Sequence, residues 1–182
     1  MATLMGHPFN CGLPVPLLVD RCVSFLMLPE CLSTEGLFRI SVAAPSLDKL
    51  KKQWDSGYDV EFERHDIHEV ACLLKLYIRE LPETLCHSLK SGEWQEAMLS
   101  PSPEKDIASL LSRLPPTNRE IIKSLFGLLK RVEEKSAINK MTSTNLAVCW
   151  SPTLFKEDDF GLAQVFLQVT SFMIVHLDSL FN

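Results

Sequence analysis

Proline cuts this sequence into short pieces, and most pieces repeat their apolar residues at helical rather than strand spacing. Eleven prolines occur in 182 residues. Pro14 and Pro16 open a segment in which Leu17, Leu18, Val19, Cys22, Val23, Phe25 and Leu26 recur at helical spacing, and Pro29 is expected to end it. Pro45 and Ser46 open a short helix through Trp54, stopped near Ser56 and Gly57. Asp66 is a good N-cap for a helix whose apolar side carries Ile67, Val70, Leu73, Leu74, Tyr77, Ile78 and Leu81, with Pro82 as its stop. A short helix is expected around Ser88 to Leu99, another from Pro103, and a longer one from Thr117 to about Val132 after Pro115 and Pro116. A further helix is expected from about Lys140 to Cys149, with Pro152 just beyond it.

The last stretch, about Gly161 to Leu180, is hydrophobic nearly all round and reads as a central core helix. No convincing strand signal and no internal repeat occurs. None of the breaks is long enough to be an interdomain linker. The expectation is one all-α helical-bundle domain over residues 1–182, with its core about 14–180.

Composition then removes several function classes. The 46% hydrophobic content supplies a sizeable core. A net charge of −5 leaves no basic excess to offset nucleic-acid phosphates, although a local basic patch can still sit on an acidic domain. No apolar run reaches the roughly 18 residues that suggest a transmembrane segment. Residues 1–11 lack the basic start and apolar block of a signal peptide. The six cysteines, Cys11, Cys22, Cys31, Cys72, Cys86 and Cys149, form no C-x-x-C pair and are expected to be reduced thiols of a cytoplasmic protein. His65 and Glu69 stand four apart beside Asp66 and His68, but no third ligand is evident, so no metal site is expected. Lys49, Lys51 and Lys52 make the stretch from Arg39 onward locally basic, either plain surface or a steering patch.

Three segments carry the candidate chemistry. Gly36-Leu37-Phe38-Arg39-Ile40-Ser41 reads as a loop with an anchored apolar part and a projecting cation. In the run Leu74 to Pro82, Lys75 and Arg79 lie one turn apart on one helix face. The third segment, Lys140 to Val148 with Asn145 inside it, leads into Ser151-Pro152-Thr153-Leu154. In this order and at these separations, with Leu114-Pro115-Pro116 and Asn118-Arg119 between the second and third, the segments resemble the RhoGAP domain family over most of the chain.

The resemblance implies a GTPase-activating domain with no chemistry of its own. It would complete the active site of a Rho, Rac or Cdc42-type small GTPase in its GTP-bound form. Arg39 matches the family's arginine finger, the catalytic position. Arg79 would brace the finger loop, Lys75 would contact the switch region, and Asn145 would hold local geometry through its amide. Pro152 and Thr153 fall where the family contacts its partner. No cofactor is expected on this chain, since GTP and Mg²⁺ belong to the partner. The domain is expected to be monomeric and part of a larger multidomain protein.

Two positions depart from the family pattern. Val42 follows Arg39-Ile40-Ser41 where a Gly is common, and Val resists positive φ. Thr153 stands where an Asn is common, keeping a hydroxyl but losing the amide's reach. They motivate an alternative, a catalytically weak GTPase-binding or protein-interaction module of the same fold. A helical scaffold unrelated to GTPases is the plainest option.

Overall fold

The computed structural model describes residues 13–57, 60–155 and 160–181; Cys11 lies outside them. Those residues form helices and connecting turns, with no strand among them. In chain order the helices are α1 (Leu17–Leu26), α2 (Pro29–Leu32), α3 (Ala44–Asp55), α4 (Ile67–Arg79), α5 (Ser91–Leu99) and α6 (Pro103–Ser112). There follow α7 (Pro116–Glu133), α8 (Ser136–Asn139), α9 (Ser143–Leu154), α10 (Phe160–Val175) and α11 (Leu177–Leu180). A single 3₁₀ turn at Phe62–Arg64 precedes α4.

Proline explains most of the helix starts. Pro29, Pro45, Pro103 and Pro116 each occupy the first or second position of a helix, where the missing N–H would have no partner. Pro29 therefore opens α2 as well as following α1. Asp66 caps α4 as its sequence predicts, its Oδ1 accepting the His68 N–H at 2.7 Å. Glu93 closes α5 by accepting the Lys90 N–H at 2.8 Å, and Arg113 donates to the same carboxylate at 2.6 Å. Those bonds hold the Glu93 carboxyl below its ordinary range.

The core runs along α7, which buries Ile121, Ile122, Leu125, Phe126, Leu129 and Val132 among its apolar residues. Helices α1, α9, α10 and α11 pack on it. Helix α4 bridges α1, α3 and α9 on one flank, while α5 and α6 close the other with α10 and α11. This leaves the second half of α9, through Trp150, and α4, through Cys72, beside the turn that follows α2.

Three sequence expectations need correction. Helix α9 does not stop before Pro152 but runs through it to Leu154. The proline costs one backbone bond, toward Val148, which is exposed. Phe155 N–H still bonds Ser151 O at 3.1 Å, so the last turn closes. The final apolar stretch is two helices, broken at His176, rather than one. Nor is α10 buried all round: Phe166, Val169, Met173 and Ile174 are inside, whereas Val175 is 51% exposed.

The remaining candidates resolve into local pairs. Among the described residues, no group of three or more His, Cys, Asp or Glu could hold a metal. His65 Nδ1 meets Glu69 Oε2 at 3.2 Å instead. Lys51 leaves the basic stretch to bond Glu80 at 2.6 Å, tying α3 to the end of α4. The described cysteines are free thiols, with Cys22, Cys31 and Cys86 buried. Asp66→Ala removes the cap of α4 and is expected to cost about 1 kcal/mol, read as a fall in melting temperature of roughly 2–4 °C.

Candidate functional site

The loop between α2 and α3 carries Arg39, and its shape follows from two residues with positive φ. Gly36 has φ +69° and Phe38 has φ +70°. Glycine adopts that region freely; phenylalanine does so at a cost of roughly 1–2 kcal/mol. Burial offsets the cost. Phe38 is 5% exposed and meets the Trp150 ring of α9 edge-on at 5.1 Å, and Leu37 beside it is fully buried. With two apolar side chains pinned inward, the next residue turns out, and Arg39 is exposed.

A tight turn fixes the base of Arg39. The Gly36 carbonyl accepts both the Arg39 N–H at 2.8 Å and the Ile40 N–H at 3.0 Å. A side chain at Gly36 would strike that of Ile40 at 2.9 Å and approach Arg39 Nη2 to 3.5 Å. On the far side of the loop, the Ile40 carbonyl accepts from Cys72 Sγ of α4 at 3.7 Å. Val42 is not among the residues with positive φ. The loop leaves through an extended stretch ending at Ala43, with φ −61° and ψ 133°. The strained position is thus Phe38, before the Arg, rather than Val42 after it.

Lys75 of α4 and Cys149 of α9 lie beneath this loop. Lys75 is half-buried. Burial pushes the Cys149 thiol up, and the charges of Lys75 and Arg39 pull it part of the way back. Both cations lie close enough to Cys149 to act on it electrostatically, and among the described residues neither has an ion pair. Asn145 sits one turn earlier on α9. Its Nδ2 donates to the Lys140 carbonyl at 2.9 Å, and its own N–H donates to Thr142 Oγ1, the α9 cap, at 3.3 Å. The amide so holds Lys140 in a left-handed conformation, φ +62°.

Arg79, Pro152 and Thr153 lie together one turn further along α4 and α9. They line a groove of about 850 Å³ with Pro82, Trp94 and Phe155. Trp94 and Phe155 meet edge-on at 5.3 Å in its wall. Arg79 is exposed and makes no hydrogen bond to the loop of Arg39 among the described residues. Pro152 is exposed, whereas Thr153 is 5% exposed and forms wall rather than rim.

One residue outside the sequence-derived set ties the loop down. Asn139, at the end of α8, is fully buried. Its Nδ2 donates to the carbonyls of Leu32 and Val132 at 2.8 and 2.7 Å, and its Oδ1 accepts the Met141 N–H at 2.7 Å. Its backbone carbonyl accepts the Gly36 N–H at 2.8 Å. The third sequence segment, taken from Lys140, begins one residue too late to include it. The available signal was a lone amide in a short stretch between two long apolar helices.

Comparison with known proteins agrees with this architecture. The RhoGAP domain family matches residues 16–159. Rho GTPase-activating protein gacY of Dictyostelium discoideum is 34% identical over 98% of this chain and 26% of its own length. Human Rho GTPase-activating protein 24 is 34% identical over 91% of this chain and 24% of its own length. The chain thus spans about a quarter of the length of these curated relatives. The crystal structure of human Rho GTPase activating protein 15 superposes with a TM-score of 0.87 at 27% identity, covering 93% of this chain and 85% of that one. With its helices, its Arg-bearing loop and its two supporting segments in the family's order, this chain belongs to the RhoGAP domain family.

Proposed function

We propose that this domain stimulates GTP hydrolysis by a Rho-family small GTPase, supplying Arg39 in trans as an arginine finger. The observation that carries the reading is the placement of Arg39: an exposed guanidinium, without an ion pair among the described residues, on a loop fixed at Gly36 and Phe38. GTP and Mg²⁺ would be held by the partner, together with its own Lys and water-positioning Gln. Phosphoryl transfer to water builds negative charge on the β–γ bridging oxygen and on the transferring group. A guanidinium keeps its charge and offers a fork of donors to those oxygens. A loop that is already ordered loses little further entropy when it inserts.

The supporting residues have separable parts in this reading. Lys75 shares the positive spot with Arg39 and meets the acidic surface of the partner's switch region. Asn145 holds the turn at Lys140. Arg79, Pro152 and Thr153 offer a second contact surface through the groove. Arg79 is placed to act on the partner, or on the loop once the partner has closed over it. The catalytically weak alternative drew on Val42 and Thr153. It loses its main support, because Val42 takes no conformation that valine resists. The relatives carry a domain like this one within much longer chains. That supports the reading of a domain working inside a longer protein; that it acts as a monomer, in the cytoplasm, is part of the proposal.

Arg39→Ala is expected to remove about 10³–10⁵ of the acceleration, while binding to the GTP-loaded partner partly survives. Turnover of GTP by a panel of Rho, Rac and Cdc42-type proteins, with wild type and variant side by side, tests this; equal acceleration by both would refute the assignment. Lys75→Ala is expected to raise the domain concentration giving half-maximal rate more than it lowers the maximal rate. Phe38→Ala is expected to cost about 3–5 kcal/mol in urea unfolding and to reduce acceleration although Arg39 is intact.

A further inference from the structure

We infer that Asn139 is a positioning residue for the finger: it never meets the partner, yet it sets where the Arg39 peptide sits. The inference rests on the reading of Arg39 as the finger, and it assigns catalytic importance to a residue outside the sequence-derived site. Asn139 is fully buried, so any effect on the reaction must pass through the backbone. The path is short. The Asn139 carbonyl accepts the Gly36 N–H at 2.8 Å, and the Gly36 carbonyl accepts the Arg39 N–H at 2.8 Å. Two hydrogen bonds therefore join the buried amide to the finger's own peptide.

The direction of that carbonyl is over-determined. Asn139 bonds the last carbonyl of α2, a carbonyl in the last turn of α7, and the N–H of Met141 ahead of α9. It thereby uses both amide hydrogens and its oxygen on backbone groups that helix ends leave short of partners. The peptide between Asn139 and Lys140 is set from its other side by the left-handed Lys140, which Asn145 holds through the Lys140 carbonyl. Asn139 Oδ1 and Asn145 Nδ2 thus clamp the Lys140–Met141 peptide through its N–H and its carbonyl, next to the Asn139–Lys140 peptide whose carbonyl holds Gly36. A displacement of about 1 Å in a catalytic group can cost about 10²-fold in rate, so a clamp at the root of the finger has leverage on turnover.

Hydrogen exchange and turnover on Asn139→Ala test this together. Leu111→Ala serves as control: Leu111 is fully buried on α6, which packs on α5 and α11 away from the loop. In Asn139→Ala, exchange at the Gly36, Arg39 and Ile40 amides is expected to rise at least about tenfold more than at the α4 amides. The maximal stimulated rate should fall at least about tenfold, with the half-saturating concentration changing less than about threefold. Leu111→Ala should raise exchange broadly and keep the maximal rate at temperatures below its melting transition. If the α4 and loop amides rise together, or if the maximal rate of Asn139→Ala stays within about twofold of wild type, the inference fails. Should the alanine variant not fold, Asn139→Ser carries the same readouts; collapse of both variants also overturns the inference, since Asn139 would then hold the whole fold rather than the finger. If wild type stimulates no Rho-type GTPase, the functional reading fails, and the exchange data alone decide whether Asn139 holds the loop.

Discussion

The Gly36 N–H to Asn139 carbonyl bond is the point on which the site depends. It joins the Arg39 loop to a residue that already binds the ends of α2 and α7 and the lead-in to α9. Of these α2 is distant in sequence, Leu32 lying 107 positions before Asn139. A buried amide is expensive when any of its bonds is missing. Asn139 therefore has one well-satisfied arrangement, and the loop inherits that definition. Apolar packing alone fills space but fixes direction poorly; hydrogen bonds at this joint supply the direction.

Packing and strain then divide the remaining work. Phe38 occupies a backbone region costing roughly 1–2 kcal/mol, and its contact with Trp150 holds it there. An edge-to-face pair contributes about 0.5–1.5 kcal/mol beyond the area it buries, so ring contact plus burial outweighs the strain. The same backbone twist that sends Phe38 inward sends Arg39 outward. Exposure of the Arg is a consequence of how its neighbour is buried.

Much of this was legible in the sequence, and the failures have identifiable causes. Helical periodicity placed α1, α4 and α7, because their apolar stripes are long and well formed. Asp66 announced its helix because an N-cap is a local bond two residues long. Arg39, Lys75 and Asn145 were legible as members of a pattern, and the fold brings Arg39 and Lys75 to the same thiol. Pro152 misled, since a proline near a helix end can be tolerated when the bond it removes faces outward. Val42 resists positive φ, and the loop's exit avoids that conformation; what the sequence did not announce is the left-handed Phe38, which only tertiary packing could hold there. Asn139 was missed because its partners are backbone groups, which carry no residue-type signal. Arg79 showed its place on α4 but not its neighbours, since the groove it lines is built from segments far apart in the chain.

Charge placement completes the argument. The chain is acidic overall, at −5, yet Arg39 and Lys75 both act on Cys149, and neither has an ion pair among the described residues. Several other cations do have acid partners, among them Lys51 with Glu80, Arg113 with Glu93 and Lys130 with Asp178. Two like charges held near one half-buried spot repel, and the fold gains nothing from them in isolation. Negative charge brought from outside would relieve them. In the proposed function, GTP oxygens and an acidic switch surface would bring it in the form that a guanidinium fork and an ammonium accept, and the repulsion would become part of the attraction.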